Sequence, residues 1–302
     1  MLDISNKTKT LRTAVAKGTL KLKNETIELI HQGKIPKGDP LTVAKVAAIQ
    51  AAKNTSQILP YCHPLPVDYV GVEFEIGDAK IEVDVTVIAI YKTGVEMEAL
   101  TAVSIALLTL YDMMKMLDED MEILSVRLIS KKGGESDFKT EFKQPLKAAV
   151  LVMSDSISSG KGSDESGKMI EARLMKEGVE VLDYKIIPDD TDMIKSTIIN
   201  YADVMKLDLV ITTGGTGFSP RDFSPEATSQ IIEREIPGIP EVMRFYGQER
   251  TPYSMLSRGK AGIRGNTIMV NLPGSKKGVA ESLDALFPGL LHAFKMLWME
   301  RH

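Results

Sequence analysis

The sequence predicts two globular domains of different class. Residues 1–144 read as α+β, with helices on one face of an antiparallel sheet, and residues 145–302 as α/β, with a doubly wound, mostly parallel sheet. Three observations carry this. A chain of 302 residues suits about two domains of ordinary size. The rhythm of strand-like and helix-like segments changes near Gln144-Pro145. Each half also holds its own cluster of chemistry-bearing residues, Tyr91 to Lys115 in the first and Thr212 to Thr228 in the second.

In the first half, Thr26 to Gln32 and Thr42 to Thr55 have helical spacing and helix formers. Tyr69 to Ile76 and Lys80 to Ile90 alternate or carry β-branched residues, among them Val83, Val85 and Val87, as half-buried strands do. Gly77-Asp78 supplies a turn that joins the two into an antiparallel hairpin. Glu98 to Leu117 reads as a helix of ~30 Å at about 1.5 Å per residue. Val126 to Ser130 and Phe138 to Phe142 read as closing strands around a turn at Lys131-Lys132-Gly133-Gly134.

The second half alternates. Ala148 to Met153, Val179 to Ile187, Leu207 to Thr212 and Thr267 to Leu272 are short apolar runs. Helical patterns lie between them at Ser166 to Glu177, Met193 to Met205 and Pro225 to Glu235. Strands alternating with helices imply a parallel sheet wound on both faces. Loops at Ser154-Asp155, Gly214 to Gly217 and Pro273-Gly274-Ser275 then leave the carboxyl ends of strands, the edge at which open α/β sheets bind ligands.

Composition narrows the partners. The halves carry 18 basic against 20 acidic and 19 basic against 21 acidic side chains, −2 each, which argues against nucleic acid. Residues 1–53 alone hold nine Lys and one Arg against four acids, a net of +6. That excess suits a small polyanion, or simply a solvated lysine-rich face. One cysteine, Cys62, excludes an internal disulfide framework and suits a reducing compartment. No apolar run follows Lys7, Lys9 and Arg12, and the longest uncharged helical stretch, Ala99 to Tyr111, has 13 residues. Neither a secretory leader nor a membrane partner is expected, and the cytoplasm is the expected location.

In the first cluster Asp112 and Lys115 lie three apart and share a helix face. A surface ion pair is the plainer reading. The flanking Leu107, Leu108, Leu110, Met113, Met114 and Met116 suggest instead a buried face, where desolvation shifts pKa values and makes a poised acid or base. Glu96 and Glu98 add two carboxylates before the helix. Pro60 to Pro66 sets Cys62 and His63 in a proline-rigid segment, but His31, His292 and His302 complete no zinc set by spacing.

Together these residues resemble the cyclic pyranopterin monophosphate synthase (MoaC-type) family. The resemblance rests on Pro36-Lys37-Gly38-Asp39, Ile49 to Lys53, Tyr61-Cys62-His63-Pro64-Leu65, Lys92 to Thr101 and Tyr111 to Lys115, over about residues 1–142. It implies conversion of a 3′,8-cyclised dihydroguanosine triphosphate into cyclic pyranopterin monophosphate with loss of pyrophosphate, no firm cofactor, and sites formed between subunits. Carried over by position, Asp112 matches the catalytic acid/base, and Lys37 and Lys115 the catalytic lysines. Tyr61, Cys62, His63, Met97 and Glu98 match substrate contacts, and Glu96, Arg12 and Lys131 further pocket positions. One departure is local: Gly133-Gly134-Glu135-Ser136-Asp137 stands where the family has Gly-Gly-Lys-Ser-Gly, an acid for a base.

The second cluster reads TTGGTGFSPRDFSPEAT. Glycines let backbone approach a ligand and aim N–H groups at an anion, although this loop is neither a Rossmann nor a Walker A sequence. Asp189, Asp190 and Asp222 fall in loops, where Asp190 could cap the next helix. With Ser257-Arg258-Gly259, Gly262-Ile263 and Asn271 to Ser275, the set resembles the molybdopterin-binding domain family over about residues 147–302. Some members bind without catalysing; active ones are molybdopterin adenylyltransferases, joining AMP from ATP to the pterin phosphate with magnesium. The glycine loop also occurs in nucleotide-pyrophosphate hydrolases. By position Asp189 and Asp222 match the acids that active members need, for catalysis and for Mg2+. Ser154, Gly214, Gly215, Thr216, Gly217, Pro273, Gly274 and Ser275 are then the substrate loops. Both families tend toward threefold assemblies, so a homotrimer or hexamer acting on small molecules is expected.

Overall fold

The computed structural model describes residues 1–298 of the chain, so His302 lies outside the described residues. The chain divides into two compact units, Met1–Phe138 and Lys139–His302.

The first unit runs β1 (Thr10–Lys21), α1 (Asn24–His31), α2 (Pro40–Lys53), α3 (Thr55–Ile58), β2 (Tyr69–Ile76), β3 (Lys80–Tyr91), α4 (Glu96–Met114) and β4 (Glu122–Lys132). The strands form one antiparallel sheet in the order β2-β3-β1-β4. Ile81, Val83, Val85, Val87 and Ala89 of β3 alternate into the core, as do Ala14, Ala16, Gly18 and Leu20 of β1. Against them lies α4, through Ala99, Ala102, Val103, Ala106, Leu107 and Leu110, with α2 beside it through Ala44, Ala48 and Ala52. Gly18 makes room for the helix, since a Cβ there would stand 2.5 Å from Val103 Cγ1 and 2.6 Å from Leu107 Cδ1. By length and composition α4 could cross a membrane, but half of the window concerned is buried inside this unit.

Two expectations are corrected here. Thr10–Lys21, assigned no element from sequence, is a central strand. Phe138 to Phe142, expected as a strand, is not one: a 3-10 turn at Glu135–Phe138 follows Gly133 (φ +92). Phe142 instead sets its ring edge-on to Phe294 and Trp298, so its aromatic side chain packs without any strand pairing. The edge of the sheet belongs to β4, four residues longer at its start than expected.

The second unit runs β5 (Lys147–Met153), α5 (Asp155–Ser158), α6 (Ser166–Lys176), β6 (Glu180–Ile187), α7 (Thr191–Ile199), β7 (Leu209–Thr213), α8 (Ser224–Ile231), β8 (Arg234–Glu235), α9 (Gly238–Gln248), β9 (Ala261–Arg264), β10 (Thr267–Leu272), α10 (Lys276–Leu286) and α11 (Gly289–Leu297). The sheet order is β6-β5-β7-β10-β9-β8, parallel from β6 to β10, with β9 and β8 antiparallel at the edge. Both faces are covered. Val150, Val152, Ile211 and Val270 meet α6, α9, α10 and α11, whereas Ala149, Leu151, Val210 and Met269 meet α7 and α8. Burial on both sides is why these strands read as continuous apolar runs. The segment Pro225 to Glu235, expected as one helix, ends as helix at Ile231 because Arg234–Glu235 pairs with β9. The adjacent strands β5, β7 and β10 place the Ser154, Gly214 to Gly217 and Pro273 to Ser275 loops along one edge.

Candidate active sites

In the first unit a cavity of about 810 Å3 is walled by Tyr61, Cys62, His63 and Leu65 from the loop after α3, by Glu96, Met97 and Glu98 from the first turn of α4, and by Met1 to Ile4. A second cavity of about 290 Å3 shares Lys7, Thr93, Gly94 and Glu96 with it and adds Arg12, Lys92, Lys131 and Lys132. Arg12 is buried on β1 and donates to the Tyr91 and Lys92 carbonyls at 3.3 and 3.5 Å. Lys131 pairs with Glu96 at 3.1 Å. Eight of the positions expected in the pocket thus converge, around five cations that suit a polyphosphate.

Electrostatics separates their roles. Glu98 is 4% exposed, and burial pushes its pKa up, with the Glu96 charge adding to the rise. Burial also raises the Cys62 pKa, with a further rise from the Glu98 charge, which disfavours the thiolate. The departure at Glu135 and Asp137 folds inward: Asp137 accepts the Gly133 N–H at 2.7 Å and Glu135 reaches Lys7 at 3.8 Å.

Lys37, Asp112 and Lys115 also meet, but elsewhere. Lys37 Nζ donates to Asp112 Oδ2 at 2.9 Å and to its carbonyl at 2.8 Å, and Lys115 Nζ lies 2.8 Å from Asp112 Oδ1. These hydrogen bonds, Lys115's first, hold the Asp112 carboxyl at about 2. The expectation of a buried face is corrected, since the Asp112 side chain is 57% exposed. The apolar flanks mislead because α4 is apolar on its outer side too: Leu108, one turn earlier, is 54% exposed. Asp112 lies 16 residues beyond Glu96 on one helix, roughly 24 Å at about 1.5 Å per residue. Within a single chain the lysine–aspartate group and the two cavities are therefore separate.

In the second unit Gly214 and Gly215 have φ of +99° and +63°. A Cβ on Gly214 would overlap the Met153 carbonyl, and one on Gly215 would overlap Ser224 Oγ and stand 3.0 Å from Asp189 Oδ1. Only glycine allows that approach. Asp190 caps α7, accepting the Met193 N–H at 2.8 Å, which leaves its neighbour Asp189 free for another task. Asp189 Oδ1 is the one buried side-chain polar atom without a hydrogen-bond partner among the described residues. Burial raises the Asp189 pKa, and the charges of Asp155 and Asp222 raise it further. Asp155 was not expected from sequence. It accepts the Asp189 N–H at 3.2 Å and pairs with Arg221 at 2.6 Å, so it links the two acid-bearing loops.

The other loops tie to this one. Thr213 Oγ1 donates to the Pro273 carbonyl at 2.6 Å, Ser166 Oγ to the Gly274 carbonyl at 3.0 Å, and Asn271 Nδ2 to Thr212 and Thr228 at 2.9 Å each. Ser154 and Ser275 serve as helix caps. Thr216, Gly217, Pro273 and Ser275 line a cavity of about 330 Å3 with Met243, Tyr253, Leu256, Lys277 and Glu281; Ser154, Asp189, Gly214, Gly215, Asp222 and Gly274 are not in its walls. No group of three or more His, Cys, Asp or Glu that could hold a metal occurs among the described residues. The orphaned oxygen of Asp189, with Asp222 close enough to raise its pKa, nevertheless has the chemistry of a cation ligand.

Residues 1–134 match the MoaC family, and residues 149–292 match the "Probable molybdopterin binding domain". Over its full 302 residues the chain is 42% identical to the molybdenum cofactor biosynthesis bifunctional protein of Chlorobaculum tepidum, covering 100% of this chain and 96% of that protein. The chain belongs to the molybdenum cofactor biosynthesis bifunctional proteins. Its relative of that name from Synechococcus elongatus is 36% identical over 310 residues, covering 98% of this chain and 97% of the relative. The cyclic pyranopterin monophosphate synthase of Clostridium perfringens is 52% identical over 138 residues, covering 45% of this chain and 87% of that enzyme. In this bifunctional protein Lys37, Asp112, Lys115 and both first-unit cavities fall in the MoaC segment, and the aspartates and glycine loop in the molybdopterin-binding segment.

Proposed function

We propose that the first unit converts (8S)-3′,8-cyclo-7,8-dihydroguanosine 5′-triphosphate into cyclic pyranopterin monophosphate and pyrophosphate, and that the second adenylylates molybdopterin with ATP. For the first reaction, Lys7, Arg12, Lys92 and Lys131 offset the triphosphate charge. Glu98, whose pKa burial raises, lines the same cavity as His63 and contacts the substrate there. Asp112 works as a permanent carboxylate that orients the Lys37 and Lys115 ammonium groups. The half-sites are joined by a second copy, whose lysine–aspartate group faces this chain's cavities; a homotrimer or hexamer supplies such copies. Asp112→Asn and Lys37→Ala are expected to abolish turnover with native circular dichroism, and near-normal turnover in either overturns these roles.

For the second reaction, the observation that favours catalysis over binding alone is the unpartnered Asp189 oxygen, on whose carboxyl the charges of Asp155 and Asp222 act. Asp189 and Asp222 would hold Mg2+, which when bound offsets charge on the attacked α-phosphoryl group. Backbone N–H groups of the glycine loop would contribute to the same end. The 330 Å3 cavity offers apolar walls for a heterocycle. The test is pyrophosphate release by the full chain with molybdopterin, ATP and magnesium. No release with pterin still bound establishes a binding and assembly module instead, and nucleotide hydrolysis without pterin establishes a hydrolase.

A further inference from the structure

Asp222 rides on a segment that nothing regular supports. Residues 214–223 between β7 and α8 form neither helix nor strand, and three of the first four are glycines. Within it Ser219 and Asp222 close a turn, the Ser219 N–H donating to Asp222 Oδ2 at 2.7 Å and the Asp222 N–H to the Ser219 carbonyl at 2.9 Å. That turn fixes the carboxylate relative to its own loop, not relative to Asp189.

The Arg221–Asp155 pair ties this loop to the Asp189 loop, and one further side chain ties it to the sheet. Arg258 donates Nε to the Gly217 carbonyl at 2.7 Å and Nη2 to the Asp222 carbonyl at 2.7 Å. Its backbone N–H donates to the Thr216 carbonyl at 3.0 Å, and Nη1 pairs with Glu226 on α8. The segment bearing Arg258 is itself seated on the sheet. The Lys260 N–H donates to Asn271 Oδ1 of β10 at 3.1 Å, and a Cβ on Gly259 would stand 2.7 Å from the Asn271 carbonyl. A guanidinium presents five donors in a planar fork, so it can hold two carbonyls and a carboxylate at fixed angles. A lysine offers one point charge and cannot span all three.

We infer that Arg258 is a positioning residue of the second unit: it straps both ends of the Gly217–Asp222 loop to the sheet and thereby fixes the Asp222 carboxylate relative to Asp189. The inference rests on the adenylyl-transfer reading. It adds a residue whose role is geometric, acting through Asp222 and not on the reacting atoms.

The experiment uses the full chain with Arg258→Lys and Arg258→Ala. Both are expected to lower kcat for adenylyl transfer ~10–100-fold, with KM for ATP changed less than about threefold. The magnesium concentration for half-maximal rate should rise about tenfold. Added guanidinium should restore part of the Arg258→Ala rate and none of an Asp222→Asn rate, a distinction that a general loss of structure would not produce. Formation of cyclic pyranopterin monophosphate in the same preparations reports an intact first unit. Hydrogen exchange should quicken in residues 214–226 while the rest of the second unit keeps its protection. An Arg258→Lys protein with wild-type kcat and magnesium dependence overturns the inference and leaves the adenylyl-transfer reading standing. If Arg258→Ala loses protection throughout the second unit, Arg258→Lys decides. If the wild type transfers no adenylyl group, that reading fails on its own, and unaltered exchange of residues 214–226 in Arg258→Ala then removes the positioning role as well.

Discussion

Two aspartates assigned to catalysis, one in each unit, sit in opposite electrostatic states. Asp112 is exposed, gripped by two ammonium groups and held at about 2. Asp189 is half-buried, has an oxygen that accepts nothing, and faces two further carboxylates that push its pKa up. A satisfied acid at a helix end some 24 Å from its pocket and an unsatisfied acid inside a loop cluster are incomplete in different ways. On the reading proposed above, a second copy of the chain completes the first site and a cation the second.

The contrast breaks most readily at Asp112. Asp112→Asn keeps size and one acceptor but releases both lysines, and should lower kcat/KM for the cyclised nucleotide ~10³-fold or more. Steady-state assays of the first reaction, with the second as control, measure this. Asp189→Asn should reduce adenylyl transfer ~10²–10³-fold. It should also raise the thermal midpoint of the second unit by roughly 2–4 °C, because it removes a partly desolvated charge that faces two other carboxylates and has one oxygen without a hydrogen bond. A lowered midpoint would mean that Asp189 has a structural partner in solution.

Acid titration sharpens the same comparison. The folded pKa of Asp112 lies below its ordinary 3.8, so its contribution to stability is present above about pH 4 and is lost as pH falls toward 2. Asp189 has the opposite sign: its folded pKa lies above 3.8, so the second unit loses stability as pH rises through that pKa and regains it on acidification. Urea midpoints of each unit between about pH 2 and 7, repeated with the two Asn variants, would show the first trend vanish with Asp112→Asn and the second with Asp189→Asn. Asp112 being exposed, its trend should shrink in high salt. The smallest expected effect is Gly215→Ala. A left-handed φ of +63° and the crowding of Ser224 and Asp189 should cost roughly 1–2 kcal/mol in the second unit alone.

How much of this the sequence discloses follows the same physics. Tyr69–Ile76 and Thr267–Leu272 are legible to the residue because β-branched alternation, or a short apolar run between turn residues, suits a strand and little else. β1 escapes notice because its buried face carries Ala14, Ala16 and Gly18 between Arg12 and Leu20, and the close approach of α4 at Gly18 leaves room only for a small residue. Phe138 to Phe142 deceives in the other direction, the Phe142 side chain serving a ring contact and not a ladder. The aspartates of the second unit are found through motif resemblance, but the bond from the Asp189 N–H to Asp155 and the fork of Arg258 exist only once loops distant in sequence meet. The burial of Asp112 is misjudged because α4 carries exposed leucine on its outer side, a surface the fold of one chain leaves open.

The proposed joining of the lysine–aspartate group to the first unit's cavities by a second copy admits a direct measurement. Two inactive full-length proteins, Asp112→Asn and His63→Ala, are mixed under conditions that exchange subunits, and formation of cyclic pyranopterin monophosphate is followed as native mass spectrometry records mixed oligomers. If copies share the site, pairs with both changes on one side leave the other side whole, and activity rises well above either parent. Mixed oligomers that form and stay inactive would contradict the account.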